Sequence, residues 1–336
     1  MIELLVFTIL VALLFDFING FHDSANAIST VVATRVLTPM QAVSMAAFGN
    51  LIGPLFFTTA IAATIGKGII DTKTIQTLLP QETFIVMILA ALIGAVVWDL
   101  LTWFFGIPVS SSHALIGGLI GAAAVAVGPG ILLGEGIEKV LVFIVVSPLM
   151  GFLAAFLMAL VVMRLSRKKA PEKINKWFRK LQLFSAFFYS VTHGTNDAQK
   201  TMGIITILLV VGGFLTEFTV PLWVILACHV SICLGTWLGG WRIVKTMAHK
   251  ITKLRPYQGF CAETAGGVVL VYMANLGIPV STTHAIAGAI MGVGSTQNPK
   301  SVRWGIGRNI VVAWILTIPF SAVVGGVAYL ILHIFL

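Results

Sequence analysis

Charge is what this sequence has least of. Lys, Arg, Asp and Glu together make up 10% of its 336 residues, where a soluble domain carries about 25%. So small a charged fraction excludes an ordinary soluble domain of this length. Cysteine is scarce too. Cys228, Cys233 and Cys261 all lie in apolar runs without metal-ligand spacing, and they read as buried free thiols. No Gly-x-Ser-x-Gly elbow is present. What fills the chain is apolar: 58% of residues are hydrophobic and the mean hydropathy is +1.01. The apolar residues fall in runs of roughly 18 or more, the mark of membrane-spanning helices. The expectation is an all-α polytopic membrane protein. The first run, Leu4 to Phe15, has no basic residue before it and no small-residue cleavage site after it. It is expected to be a retained span rather than a signal peptide.

The few charges are not spread evenly. The stretch Arg164 to Lys180 holds eight Lys and Arg, Trp241 to Arg255 five, Lys300 to Arg308 three, and Arg35 stands alone. Basic loops stay on the cytoplasmic side of a membrane, and placing these four there leaves Asp71, Glu82, Glu135, Glu138 and Glu217 outside. One consistent path has about five crossings before the linker and five after it, with both termini outside. An odd count inverts the second half relative to the first. The expected organisation is a first inverted repeat over 1–163, a basic cytoplasmic linker over 164–183 and a second inverted repeat over 184–336. The net charge of +9 is thereby accounted for by topology, with a lipid bilayer as partner and no nucleic acid.

Two motifs recur in the same order. PVSSSHALIGG (Pro108 to Gly118) returns as PVSTTHAIAGA from Pro279, 171 positions later. NGFHDSANA (Asn19 to Ala27) corresponds to HGTNDAQKT (His193 to Thr201) at an offset of 174, which aligns Gly20 with Gly194 and Asp23 with Asp197. Two ordered matches at nearly one offset mark an internal duplication. Inverted-topology repeats are common among secondary transporters.

The repeated residues carry the chemistry. A carboxylate within the hydrocarbon core costs several kcal/mol unless it is paired, hydrated or neutral. Asp16, Asp23, Asp99, Asp197 and Glu263 all fall in or beside apolar spans. Asp23 and Asp197 recur, each three residues after a glycine and among Ser24 and Asn26, or Asn196 and Gln199. Glycine with Asn and Asp in mid-span predicts an interrupted helix whose freed oxygens form a hard cation site. Pro108 and Pro279 suit the first turn of a helix. Ser110, Ser111 and Ser112, and Ser281, Thr282 and Thr283, follow as caps and first-turn residues. Each motif therefore predicts a half-helix starting inside the membrane. Its N-terminus offers unpaired N–H groups, part of a positive charge and hydroxyl donors, which suit an oxyanion. Pseudosymmetry brings the two ends face to face. Cations at the aspartates cancel the repulsion between carboxylates and anion, and a carboxylate can accept the P–OH proton that sulfate lacks. His113 and His284 read equally well as packing histidines or as proton carriers.

By these residues the chain resembles the inorganic phosphate transporter (PiT) family. GFHDSANA and HGTNDAQKTMG look like its paired signatures, PVSSSH and PVSTTH like its paired hairpin motifs, and QGFCAETAGG (Gln258 to Gly267) like its glutamate-bearing span. The match spans all but the linker. The resemblance implies two inverted repeats with broken helices and re-entrant hairpins in the cell membrane, importing phosphate by symport with a cation. It implies phosphate contacts from Ser110, Ser111, Ser112, Ser281, Thr282 and Thr283. It also implies cation and phosphate roles for Asp23, Asn26, Asn196, Asp197 and Gln199, with sodium at Asp23, Asn26, Asn196 and Asp197. Lys200 either reaches phosphate or snorkels out of the span, and Glu263 is a candidate further cation site. The first signature reads GFHD rather than GAND, so His22 stands where the second half has Asn196. That variant is linked to protons and metal-phosphate complexes; the preponderance of oxygen donors favours sodium, with the proton open. Bound sodium ions or protons are thus the coupling ions, no other cofactor is expected, and a homodimer is an assembly such transporters adopt.

Three other readings fit parts of the sequence. An intramembrane serine hydrolase needs one nucleophile and one base, not the same phrase twice. A transporter of another oxyanion such as sulfate, or a cation antiporter, would use the same polar residues differently. A passive channel would ignore cation gradients.

Overall fold

The computed structural model describes residues 1–55 and 59–335. It is all-helical: no strand occurs among the described residues beyond one isolated bridge, Ile70 to Leu132. The helices are α1 (Ile2–Ala33), α2 (Pro39–Ile52), α3 (Ala60–Gly68), α4 (Thr72–Leu78), α5 (Gln81–Phe105), α6 (Ser111–Ala126) and α7 (Gly134–Ser166). They continue as α8 (Pro171–Val211), α9 (Leu222–Leu238), α10 (Trp241–Lys245), α11 (Pro256–Asn275), α12 (Thr282–Ser295) and α13 (Trp304–His333). Helices α1, α5, α7 and α13 are each long and apolar enough to cross a bilayer. Many large apolar side chains on the outside, Leu153, Leu157 and Phe320 among them, are exposed as a lipid-facing surface requires. The basic stretch 164–183 is helical at both ends, closing α7 and opening α8, with a turn between them.

The halves share one plan, and they exchange parts. Helix α6 packs against α13, and α12 packs against α7, so each short helix of one half lies on the last long helix of the other. The contact is close because it is built from small residues. A Cβ on Gly121 would run into the backbone of Ala322, and one on Gly292, 171 positions later, into the backbone of Phe152. Pro148 in α7 and Pro319 in α13 stand the same 171 apart inside their helices. Helices α1 and α8 run antiparallel, as an inverted duplication requires: Asp16 meets Thr201, whereas Thr34 meets Gln182.

The breaks fall elsewhere than the polar signatures predict. Helices α1 and α8 pass through NGFHDSANA and HGTNDAQKT without interruption. Their glycines serve helix crossing instead. Gly20 lies on the backbone of Ile232 and Gly194 on Asn50, and neither site has room for a side chain. The breaks are in the helices that cross there: α2 and α3 have axes 84° apart, and α9 turns by 58° into α10.

The basic groups share one face. Arg179 donates to the Arg35 carbonyl at 2.9 Å, the Arg303 N–H donates to Ile251 O at 2.9 Å, and Arg167, Arg255 and Gln297 line one cleft. The Met1 amino group pairs with Glu82 at 3.1 Å at the other end of α1.

Candidate functional site

Helices α5 and α6 form one hairpin, and α11 and α12 another. In each, an extended segment leads from a long helix to a buried helix tip. Pro108 and Pro279 belong to those segments, upstream of the first turn where the sequence placed them, because the caps are Ser110 and Ser281. Each cap hydroxyl accepts the N–H of the histidine three residues on, at 3.3 Å for His113 and 3.2 Å for His284. Capping uses one of the orphan donors of each tip and leaves the N–H groups of Ser111 and Ser112, and of Thr282 and Thr283, without an intrahelical acceptor. All six hydroxyl residues are buried. The tips face one another: the rings of His113 and His284 sit edge to face with centroids 5.0 Å apart. Trp314 of α13 stacks on His284 at 3.9 Å and donates its indole N–H to Pro108 O at 3.1 Å, tying the two hairpins together.

Helices α1 and α8 cross beside the tips, and they bring the two aspartates together. Asp23, His193 and Asp197 offer ligand atoms that all lie within 4.8 Å of one another, every residue buried. Asp23 Oδ1 lies 2.7 Å from His22 Nδ1, and His22 Nε2 lies 3.1 Å from the Thr102 hydroxyl. Asp197 Oδ1 accepts from Lys200 Nζ at 2.5 Å, and its Oδ2 accepts from Thr282 Oγ1 at 3.0 Å. His193 Nε2 stands 3.1 Å from the same Oδ2, close but off the line of a hydrogen bond.

The tips are gripped in a crossed pattern. Asn26 of α1 donates to Thr283 Oγ1 at 2.9 Å and to Thr282 Oγ1 at 3.3 Å, on the α12 tip. Lys200, 174 positions later, donates to Ser112 Oγ on the α6 tip. The side chain of Lys200 is 1% exposed. It therefore does not snorkel; its ammonium lies in the middle of the site.

The remaining expected residues are placed less centrally. Asn196 donates to Thr192 O at 2.8 Å and keeps a buried, unpartnered Oδ1. Gln199 turns towards α3, where its Oε1 accepts the Ile61 N–H at 2.9 Å and its amide donates to Thr195 O. Glu263 lies towards the basic face. It accepts from Gln182 at 3.0 Å and from the Ser185 hydroxyl, while Thr34 donates to Gln182. Asp99 lies one turn before Thr102 on α5 and has two carboxylate oxygens without a hydrogen-bond partner, and the Ser111 hydroxyl likewise has none. His193 is the residue that motif reading passed over. Its signal was its position one turn before Asp197, where i and i+4 share a helix face.

Chemically, the site joins hydroxyl and N–H donors, one ammonium and two carboxylates in a closed space. Oxyanions and hard cations both find partners there, whereas no single serine is set against a single base as a hydrolase requires. Comparison with known proteins agrees. A model of the phosphate transporter family matches residues 19–325. A protein named "Probable low-affinity inorganic phosphate transporter" from Rhizobium meliloti (strain 1021) is 52% identical over 327 residues, covering 97% of this chain and 96% of that protein. One of the same name from Bacillus subtilis (strain 168) is 43% identical over 334 residues, covering 98% of each. Among solved structures, one titled "The sodium-dependent phosphate transporter" superposes with a TM-score of 0.91 at 24% identity, over 99% of this chain and 100% of that one. Sequence duplication, paired helix tips and these matches lead to one assignment: the chain is a multi-pass membrane transporter, not an enzyme, and belongs to the phosphate transporter family.

Proposed function

We propose that this chain imports inorganic phosphate by symport with cations, sodium being favoured over the proton, through alternating access around the midplane site. The observation that carries the reading is the meeting of Asp23 and Asp197 against the α12 tip, with Lys200 joining Asp197 to the opposed α6 tip. The tips supply the N–H and hydroxyl donors of Ser111, Ser112, Thr282 and Thr283 to phosphate oxygens, with Ser110 and Ser281 holding the first turns in shape. Lys200 adds a charged donor. Asp23, Asn26, Asn196 and Asp197 supply oxygens to sodium, and His193 completes that group. Gln199 acts from the neighbouring turn, and Glu263 is a further cation site towards the basic face.

Charge balance supports coupling. Asp23, Asp197 and Lys200 together carry one net negative charge. Dihydrogen phosphate raises that to two, an unfavourable total in a buried site. Two sodium ions bring it to zero. Phosphate and cation therefore each raise the other's affinity, which is the linkage that symport needs. With the basic face taken as cytoplasmic, both termini lie outside the cell membrane, and a homodimer is compatible with the exposed apolar surface.

The test is uptake of labelled phosphate into proteoliposomes under imposed sodium and, separately, proton gradients. Uptake driven by sodium and competed by arsenate but not sulfate is expected. Uptake that continues with every cation gradient collapsed would refute symport, and equal competition by sulfate would refute the choice of anion.

A further inference from the structure

The buried acids of this protein differ in how completely they are partnered. Asp23 has His22, and Asp197 has Lys200 and Thr282. Both oxygens of Glu263 accept hydrogen bonds, from Gln182 and Ser185. Asp99 lies on α5 one turn before Thr102, the partner of His22 in the site already described. Asp16 does none of these things. It lies two turns before Asp23 on α1 and has no solvent exposure. Its Oδ1 accepts from Thr201 Oγ1 of α8 at 3.0 Å, while its Oδ2 has no partner. No Lys, Arg or His pairs with it among the described residues. Asn19, three residues on along the same helix face, has a second unpartnered oxygen, Oδ1, at 1% residue exposure.

We infer that Asp16, Asn19 and Thr201 form a separate sodium site in the α1–α8 seam, on the Met1 side of the aspartate pair. The inference rests on the cation-coupled reading above. Two open oxygens and one hydroxyl in a dry place need an electropositive partner, since an unpaired buried carboxylate is among the costliest groups a membrane span can hold. All three donors are hard oxygens, which select sodium over softer metals. They carry a single negative charge. A monovalent ion leaves the site neutral, whereas a divalent ion would leave an uncompensated charge.

Position gives the site a role. Seven helical residues place Asp16 about 10 Å along α1 from Asp23, too far to share a ligand shell. Over that distance, in surroundings of low dielectric, its charge still acts on the aspartate pair. An empty Asp16 repels an anion arriving between the tips, and sodium at Asp16 removes that repulsion. The ion thus raises phosphate affinity without touching phosphate, and phosphate must raise the affinity of this ion in return.

Equilibrium binding of labelled sodium to the purified full chain in detergent, with and without inorganic phosphate, tests the inference. Asp16→Asn preserves size and an acceptor for Thr201, and it is expected to bind one sodium ion fewer per chain than the wild type while retaining sodium-dependent phosphate binding. Thr201→Val is expected to keep the number of ions and weaken one of them by about two- to tenfold, the worth of one hydroxyl contact. Equal sodium counts for wild type and Asp16→Asn overturn this site and leave the Asp23–Asp197 reading standing. Should Asp16→Asn fail to fold, Thr201→Val decides alone, and unchanged affinity for every ion overturns the site. A wild type that binds no sodium overturns the sodium reading itself, and this site with it.

Discussion

Replacing Lys200 by methionine removes an ammonium that the fold has fully enclosed and leaves the Asp197 carboxylate with a hydroxyl, an imidazole and the Asp23 carboxylate as neighbours. Breaking a buried ion pair from one side costs about 3–5 kcal/mol, because the surviving charge has neither water nor counter-ion. Asp197→Asn breaks the same pair from the other side at a similar cost of about 3–5 kcal/mol. Removing both charges together leaves nothing uncompensated, and the Thr282 hydroxyl can still donate to the Asn oxygen. The double variant should therefore fall short of the sum of the singles by at least about 3 kcal/mol. Thermal or denaturant unfolding of the four proteins in one sodium-free detergent buffer, where no bound ion replaces the ammonium, measures the cycle. Additivity within about 0.5 kcal/mol would show that the two groups act independently, and the electrostatic account of the site would be wrong. Transport gives a second readout on Lys200→Met alone. A charge-assisted donor to phosphate is worth about 1.5–3 kcal/mol, so KM for phosphate should rise about 10- to 150-fold. An unchanged KM would confine Lys200 to holding Asp197 and the α6 tip.

Asp23→Asn and Asp197→Asn should each abolish gradient-driven uptake while the protein still reaches the membrane; normal uptake in both would remove the aspartates from cation coupling. Ser111→Ala combined with Thr282→Ala deletes two donors at the tips, worth about 1–3 kcal/mol together, and should raise KM about 5- to 150-fold; an unaltered KM would count against the anion cradle. Outside the spans, Asp71 caps α4, and the Thr74 hydroxyl and N–H bonds at 2.6 and 3.1 Å hold its carboxyl below the usual carboxylate range. A depressed folded-state value adds stability at neutral pH that is lost as pH falls through and below that range. Hydrogen exchange in α4 should quicken in acid and, at pH 7, in Asp71→Ala; an α4 indifferent to both would deny the cap any role.

Much of this could be read from the residues alone, for a physical reason. Polar atoms are so costly in apolar surroundings that a repeated Asp or a Ser-Ser-Ser run announces a site, and a common offset announces a duplicated plan. The half-helix tips, their caps and the aspartate pair were all legible in that way. Continuity of α1 and α8 was not, because glycine beside Asn and Asp fits a helix break and a helix crossing equally well, and only the neighbour at Gly20 tells which. The engagement of Gln199 by Ile61 and the enclosure of Lys200 depend on residues more than 80 positions away. The joining of His193 to Asp23 likewise needs α1 and α8 side by side, and no local pattern records that.

The exchange of α6 onto α13 and of α12 onto α7 has a bearing on biogenesis. As the ribosome feeds the first half into the bilayer, the glycine face of α6 finds no mate, because that mate, α13, belongs to the second half and has yet to be made. Neither half can mature alone, and the nascent carrier stays open to lipid or to an insertion chaperone until Trp304 and the residues after it emerge. Quality control thus has a simple cue: a chain cut short before that span leaves a groove of bare backbone that a finished one has closed.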